Sequence, residues 1–476
     1  MVRSENSPRS SAGRGGGDQG GEAAVEALGR VGVAIIRGGL LMLWWSILFP
    51  MFSVPAAGAG YLGWLCGWPT GVATAAAGAL GLLGWRLGHA GSFHRLVSGR
   101  IAKRRRRWVV YRKRWPEVCA LHGLSATLND TVLIPRLRSV RVGDIADTVL
   151  VRMLVGQDLT TWAAQSEALA HTFGARTVQV RGAAPGWIEM IVHHRDPLAA
   201  PIRVSAPGEQ VDLLRLPVGV AESGAPWVLR ILGRHVLVVG ATGAGKGSVV
   251  WSVLTALAPG IHDGMVALWV IDPKGGMEFG AGQPLFTRFA YDTGEQVLTL
   301  LRDAAAIMTD RATRLRGVSR QHIPTTAEPL VLVVIDELAS LTAYLTDRKI
   351  KTEVEQLLGL LLSQGRAVGV SVLACVQDPS KEVLALRQLF PTRVGLRLTE
   401  ATQVNMVFGA GARERGALCD LIPDTLPGVG YVAEDGRTEL VRVRAFHVTD
   451  DDIAHLSTHY APDPGADADR ALGDAA

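Results

Sequence analysis

The sequence predicts an α/β fold built on a mainly parallel sheet, and three observations carry the prediction. Long apolar runs, "HVLVV", "MVALWVI", "PLVLVVI" and "VGVSVLACV", recur through the second half of the chain, as strands buried on both faces do. Each run ends in glycine or polar residues, at the edge where an open parallel sheet collects its ligands. The first of them passes through "GATGAGKG" straight into the helical stretch "SVVWSVLTAL".

Composition narrows the class. At 476 residues and 48% hydrophobic, the chain suits two or three domains with real cores and excludes a disordered or fibrous protein. Cys66, Cys119, Cys375 and Cys419 are far apart and form no CxxC pair. Neither a disulfide framework nor a zinc site is indicated, and a reducing compartment fits. The net charge of +5 is local, because Ser92 to Trp115 holds ten basic residues and no acidic one. The remainder is acidic on balance, so the charge reports one arm.

The elements follow in order. Residues 1–30 are Gly, Ser and charge, and read as a disordered cytoplasmic tail. Gly38 to Trp85 carries no charge over 48 positions, whereas one membrane crossing needs about 20. Two transmembrane helices are expected within 31–90, with a break between Tyr61 and Pro69 marked by Tyr61, Trp64, Trp68 and Pro69. Arg30 and Arg37 precede the run and the basic arm, 91–115, follows it. The positive-inside rule then places both termini in the cytoplasm of a protein of the cell membrane. A buried hairpin of a soluble protein is the alternative. The arm, "IAKRRRRWVVYRKRW", suits anionic lipid headgroups or DNA. Residues 116–225 read as a small α/β module of strand, helix, strand, strand, without a catalytic constellation. His193 and His194 stand together there and read as a surface feature, not a metal site.

The chemistry lies in the second half. In the GxxxxGK pattern, Gly240, Ala241, Thr242, Gly243, Ala244, Gly245, Lys246, Gly247 and Ser248 form a phosphate loop. Its glycines let backbone N–H groups curl round phosphate oxygens, Lys246 neutralises the β and γ phosphates of ATP, and the helix N-terminus adds its positive end. "VLVVIDELASL" delivers Asp336 and Glu337 to the same edge. There Asp336 is expected to hold the Mg2+ shell and Glu337 to polarise the attacking water, although carboxylates also favour helix starts without any catalytic role. Gln377 ends the next run, where its amide can sense the γ-phosphate. Position 247, where a phosphate loop usually supplies a hydroxyl to the metal, is glycine. Ser248 or water is expected to take that place, and a serine at 247 is expected to be tolerated.

"HVLVVGATGAGKG", "VIDPKGG", "VVIDELASL", "GRAVGVSVLACVQDPS" and "FPTRVGLRLT", in this order, resemble the motor domain of the FtsK/SpoIIIE DNA translocases over about residues 226–448. The short two-span anchor and the "GKGS" loop look most like the transfer proteins of actinobacterial plasmids and integrative elements. The resemblance implies a RecA-like P-loop ATPase that pumps double-stranded DNA through a homo-hexameric ring. It implies conjugal transfer, with chromosome segregation and a secretion-type ATPase as alternatives. Arg366 and Arg393 are the candidates for an arginine reaching a neighbour's γ-phosphate. Arg348, Lys349 and Lys351 are the candidates for the grip on DNA, largely through the backbone. Relatives that read a DNA address carry a winged helix after the motor. Here 449–476 is short and rich in Asp, and reads as an acidic flexible tail, which leaves sequence choice weak or delegated to a partner protein.

Overall fold

A computed structural model describes residues 39, 50–379, 386–413, 415–436 and 439–462, divided into two compact units, Met1–Val109 and Val110–Ala476. The expected tail, 1–30, and nearly all of the first half of the expected first span lie outside the described residues.

In the first unit, α1 (Pro50–Cys66) and α2 (Trp68–Gly88) form a helical hairpin. It turns at Gly67, whose φ of 93° is open to glycine at little cost. The backbones touch: a Cβ on Gly71 would lie 2.8 Å from the Ala59 carbonyl oxygen and 2.9 Å from Gly63 Cα. Among the described residues no helix is long and apolar enough to cross a membrane. α2 has the length, 21 residues, but is built largely from Gly, Ala and Thr and includes Arg86. The basic arm is helical, with π-turns at His94–Ser98 and Arg107–Arg112 on either side of α3 (Gly99–Arg106).

The second unit begins with α4 (Trp115–Leu121) and a short hairpin of β1 (Ala126–Leu128) and β2 (Thr131–Leu133). A four-stranded antiparallel sheet follows, in the order β3 (Arg136–Val142), β4 (Ala146–Arg152), β6 (Trp187–His193), β5 (Thr177–Ala184). It packs against α4, α5 (Leu159–Ala163) and α6 (Ser166–Phe173), which bury Trp115, Trp162, Leu169 and Phe173. Trp115 stacks near Trp162 at 6.3 Å and donates its indole N–H to the Pro135 carbonyl at 2.7 Å, so its one polar atom is satisfied.

The large sheet has eleven strands. Its parallel part runs β12 (Arg288–Ala290), β11 (Val266–Ile271), β13 (Leu330–Ile335), β14 (Val370–Val376), β10 (Val236–Val239), β15 (Thr392–Gly395). Every residue of β10, β11, β13 and β14 is buried. Alternate side chains feed the two faces. Val236 and Val238 meet Val250, Leu254 and Leu257 of α7 (Lys246–His262). Leu237 and Val239 join Leu301 and Met308 of α8 (Glu295–Leu315) and Leu358 of α10 (Arg348–Gln364). Truncating one such leucine to alanine costs about 2–5 kcal/mol.

Beyond β15 the sheet turns antiparallel through β16 (Val429–Glu434), β17 (Val441–His447), β8 (Leu216–Ala221) and β9 (Pro226–Leu229), and β7 (Ile202–Arg203) pairs with β17. Two boundaries therefore differ from expectation. Strands from 202 to 229, assigned from sequence mostly to the small module, complete the large sheet, because short apolar runs carry no label for the sheet they join. Residues 463–476 lie outside the described residues, and the start of the segment expected as a flexible tail forms α12 (Asp450–His459). Its Asp-rich start is a capping box between Thr449 and Asp452, and it buries Ile453 and Leu456.

Candidate active site

The sheet brings most of the sequence-selected residues to one place. β10 hands the chain to the phosphate loop, where Gly243 (φ 73°) and Gly245 (φ 94°) hold the left-handed turns that other residues adopt at a cost. Gly245 also presses on the next turn, since a Cβ there would lie 2.8 Å from Gly428 Cα. The Gly428 N–H donates to the Ala244 carbonyl at 2.9 Å. Lys246 folds back to donate to the Gly240 carbonyl at 2.8 Å, and burial lowers its pKa below the ordinary lysine value. An ammonium so placed gains from an arriving phosphate.

Asp336 and Glu337 are both buried at the end of β13. Lys274, from the loop after β11, donates to Asp336 Oδ2 at 2.8 Å. Burial opposes its charge, but the Asp336 contact outweighs this and raises Lys274. Glu337 caps the short α9 (Leu338–Leu341): its Oε1 accepts from the N–H of Ala339 at 3.3 Å and of Gln377 at 3.4 Å. Its Oε2 is buried without a hydrogen-bond partner among the described residues. Burial raises the Glu337 pKa, as suits a group that takes up a proton or aligns a water. The Thr242 hydroxyl donates to Gln377 Oε1 at 3.3 Å, so this amide sits against the phosphate loop.

The loop between β11 and β12 was marked from sequence by "VIDPKGG" without a role for its side chains. Asp272 is fully buried, and its oxygens are spent on backbone N–H groups: Oδ1 accepts from Lys274 at 3.2 Å, and Oδ2 from Glu278 at 2.9 Å and Phe279 at 3.1 Å. Asp272 therefore shapes the loop that presents Lys274 and Glu278. Desolvation, with Asp336 and Asp272 nearby, raises the Glu278 pKa. Arg397 was likewise given no role; it donates to the Thr242 carbonyl at 2.8 Å. The signal for these groups is the strand end on which each sits. Their meeting is a tertiary fact.

A serine at 247, expected to be tolerated, meets a single neighbour, the end of the exposed Glu278 side chain. A Cβ built on Gly247 overlaps Glu278 Oε1, so the carboxylate must move first. Successive helix residues point about 100° apart, so Ser248 does not take the direction that 247 leaves open. Among the described residues no three His, Cys, Asp or Glu form a ready metal cage. Mg2+ beside phosphates needs only one or two protein oxygens, and the hard oxygens of Asp336 and Glu278 fit that demand.

The two arginine candidates separate. Arg366 is exposed in the turn Gly365–Val368 just before β14, at the opposite end of the sheet from the phosphate loop. Seven residues of β14 hold the ends about 20 Å apart. Arg393, inside β15, donates to the Val407 carbonyl at 3.1 Å, and its buried Nε has no hydrogen-bond partner among the described residues. The candidate DNA grip is the start of α10. Arg348 and Lys349 are exposed there beside Thr352, Glu353 and Gln356, and Lys351 lies 4.0 Å from Glu355.

The histidine pair is not a surface feature. His193 is buried, and His194 Nε2 lies 2.8 Å from the buried Asp147, which also accepts from the Tyr111 hydroxyl at 2.7 Å.

Residues 111–194 match the actinomycete conjugal transfer protein N-terminal domain, and residues 209–412 match the FtsK/SpoIIIE family. The transfer protein TraSA of Streptomyces ambofaciens is 28% identical over 353 residues, covering 69% of this chain and 82% of that protein. The DNA translocase FtsK of Borreliella burgdorferi is 26% identical over 199 residues, of which this chain spans 24% of the length. Among solved structures, the pCW3 conjugation coupling protein TcpA with ATPgS is similar over 74% of this chain and 99% of that one, at 19% identity and a TM-score of 0.48.

Proposed function

Because the chain joins an actinomycete conjugal transfer domain to an FtsK/SpoIIIE ATPase domain, we propose that it is an ATP-driven motor that moves double-stranded DNA for conjugal transfer. It works as a homo-hexameric ring held in the cell membrane by a two-helix hairpin, with both termini in the cytoplasm. The observation that carries the reading is the convergence of Lys246, Asp336, Glu337 and Gln377 on one sheet edge, with Glu337 Oε2 left over.

Each group has a task. Backbone N–H groups of 240–248 and Lys246 seat the triphosphate of ATP. Asp336 and Ser248 are the residues assigned from sequence to hold Mg2+, which when bound spreads positive charge over the phosphate oxygens. Glu337 Oε2 aligns a water for attack on the γ-phosphate, and Gln377 reports its loss to β14. Arg366 supplies charge to a neighbouring subunit's site.

At the start of α10, Arg348 and Lys349 stand at the positive end of a helix, where cations are unfavourable for the fold and an incoming backbone phosphate is favourable. No base-reading element is needed for such a grip, which leaves the choice of sequence to a partner protein. The membrane anchor rests on the uncharged run Gly38 to Trp85, flanked by basic residues on both sides.

ATP turnover with and without duplex DNA tests the reading. Stimulation by DNA of unrelated sequences is expected, and indifference to DNA overturns it. Replacing Arg348, Lys349 and Lys351 together with alanine should flatten the dependence of DNA affinity on salt by about one unit of log–log slope per cation. Reporter fusions at Ser7 and Gln210 should both report the cytoplasm, and an extracytoplasmic signal at either removes the hairpin anchor.

A further inference from the structure

We propose that Glu278 supplies the metal-ligating oxygen that the phosphate loop lacks at Gly247, and that the bare glycine exists to admit this carboxylate. The inference rests on the ATPase reading of the site and assigns a residue within it. The volume that a side chain at 247 would take is filled, since a Cβ there overlaps Glu278 Oε1 and would lie 3.3 Å from Glu278 Cδ. The hydroxyl usual at that position and the Glu278 carboxylate compete for one volume, so a side chain at 247 turns the end of Glu278 aside.

Glu278 is held there by its loop. Two successive left-handed glycines, Gly275 (φ 76°) and Gly276 (φ 77°), turn the chain back. The buried Asp272 carboxylate fixes the N–H groups of Glu278 and Phe279 at 2.9 and 3.1 Å. Phe279 is fully buried and packs 5.5 Å from Trp251 of α7. The loop is thereby clamped to the helix that starts at Lys246, and the residue before Phe279 faces that helix's first turn.

A carboxylate in this place differs chemically from a hydroxyl. Both offer a hard oxygen to Mg2+, but the carboxylate carries charge and repels a triphosphate that arrives without a cation. Glu278 therefore makes the site selective for metal-bound nucleotide. Metal-free ATP meets Glu278, Asp336 and Glu337 at once, with Lys246 and Lys274 as the opposing charges.

The test uses the full-length chain, a fluorescent non-hydrolysable ATP analogue with and without Mg2+, and Mn2+ binding followed by electron paramagnetic resonance. Glu278→Gln should weaken Mn2+ in the nucleotide complex by about tenfold or more while metal-free analogue binds at least as well as before. Gly247→Ser alone should leave Mn2+ affinity about where it was, because the hydroxyl it brings takes over from the carboxylate it turns aside. In the Glu278→Gln background the same serine should restore Mn2+ affinity by bringing the hydroxyl back. Unchanged Mn2+ affinity in Glu278→Gln, or a serine effect that is the same in both backgrounds, overturns the proposal. If the unaltered chain binds no analogue under any condition, the ATPase reading itself fails.

Discussion

Two buried carboxylates in the second unit invite comparison. In the small module Asp147 is fully enclosed and fully occupied: Oδ2 receives the Tyr111 hydroxyl and His194 Nε2, and Oδ1 receives the Gly143 N–H at 3.1 Å. In the motor Glu337 is almost as deeply placed, yet among the described residues Oε2 receives no hydrogen bond and Oε1 only two long ones. A satisfied buried carboxylate stabilises a fold, whereas one with an oxygen left over is held in a costly state by its surroundings. On the proposed function, the difference separates a structural cluster from a reacting one.

The arginines extend the comparison and give the largest expected effect. Arg366 is exposed, whereas Arg393 is half-buried, gives one N–H to the Val407 carbonyl and has no partner for its Nε among the described residues. Arg366→Ala should lower turnover by about 1000-fold without altering ATP affinity or melting temperature. Arg393→Ala should lower the melting temperature instead. Reversed outcomes would transfer the trans role to Arg393.

Next in size, Glu337→Gln should bind ATP normally and lose turnover by at least about 100-fold, with no loss of thermal stability. Normal hydrolysis by this variant would break the distinction drawn from the orphan oxygen. For the module, Asp147→Ala should cost about 2–3 kcal/mol in denaturant unfolding, since it strands the groups bonded to a charge. ATP affinity should stay as it was; a selective loss of turnover with the fold intact would make Asp147 part of the chemistry.

The smallest effect concerns acid. Burial, with Arg366 nearby, holds His235 at about 3 in the fold, where Nδ1 accepts the Val372 N–H at 3.0 Å. The unfolded chain takes up this proton near 6.5. The folded pKa is the lower one, so this contribution to stability is complete above 6.5 and is lost as pH falls towards 3. Between about pH 7 and about pH 5.5 the unaltered chain should lose about 1 kcal/mol more than His235→Asn. Equal losses would show that His235 is not the sensitive group.

Much of the motor was legible because its signals are local. The apolar runs of β10, β11, β13 and β14 predict buried strands by themselves, and each motif sits at a strand end. What escaped depends on distance. The approach of Glu278 to Gly247 spans a helix, a strand and a loop, and nothing at either position announces the other. Asp272 was visible as the end of a strand, but its use as a clamp for three N–H groups depends on the path of the loop. The sheet's antiparallel extension was misassigned because β7, β8 and β9 pair with β17, far along the chain. α12 was hidden by composition. Two buried apolar side chains one turn apart dock it, while its three leading aspartates read as solvent.

β14 carries a consequence of its own. It is hydrogen-bonded on both sides, to β13 and β10, with Arg366 just before it and Gln377 just after. A strand paired on both edges does not stretch, and inserting one residue would turn every side chain to the opposite face. The spacing between that arginine and that glutamine is thus a fixed ruler, which neither drift nor engineering can lengthen by a single step.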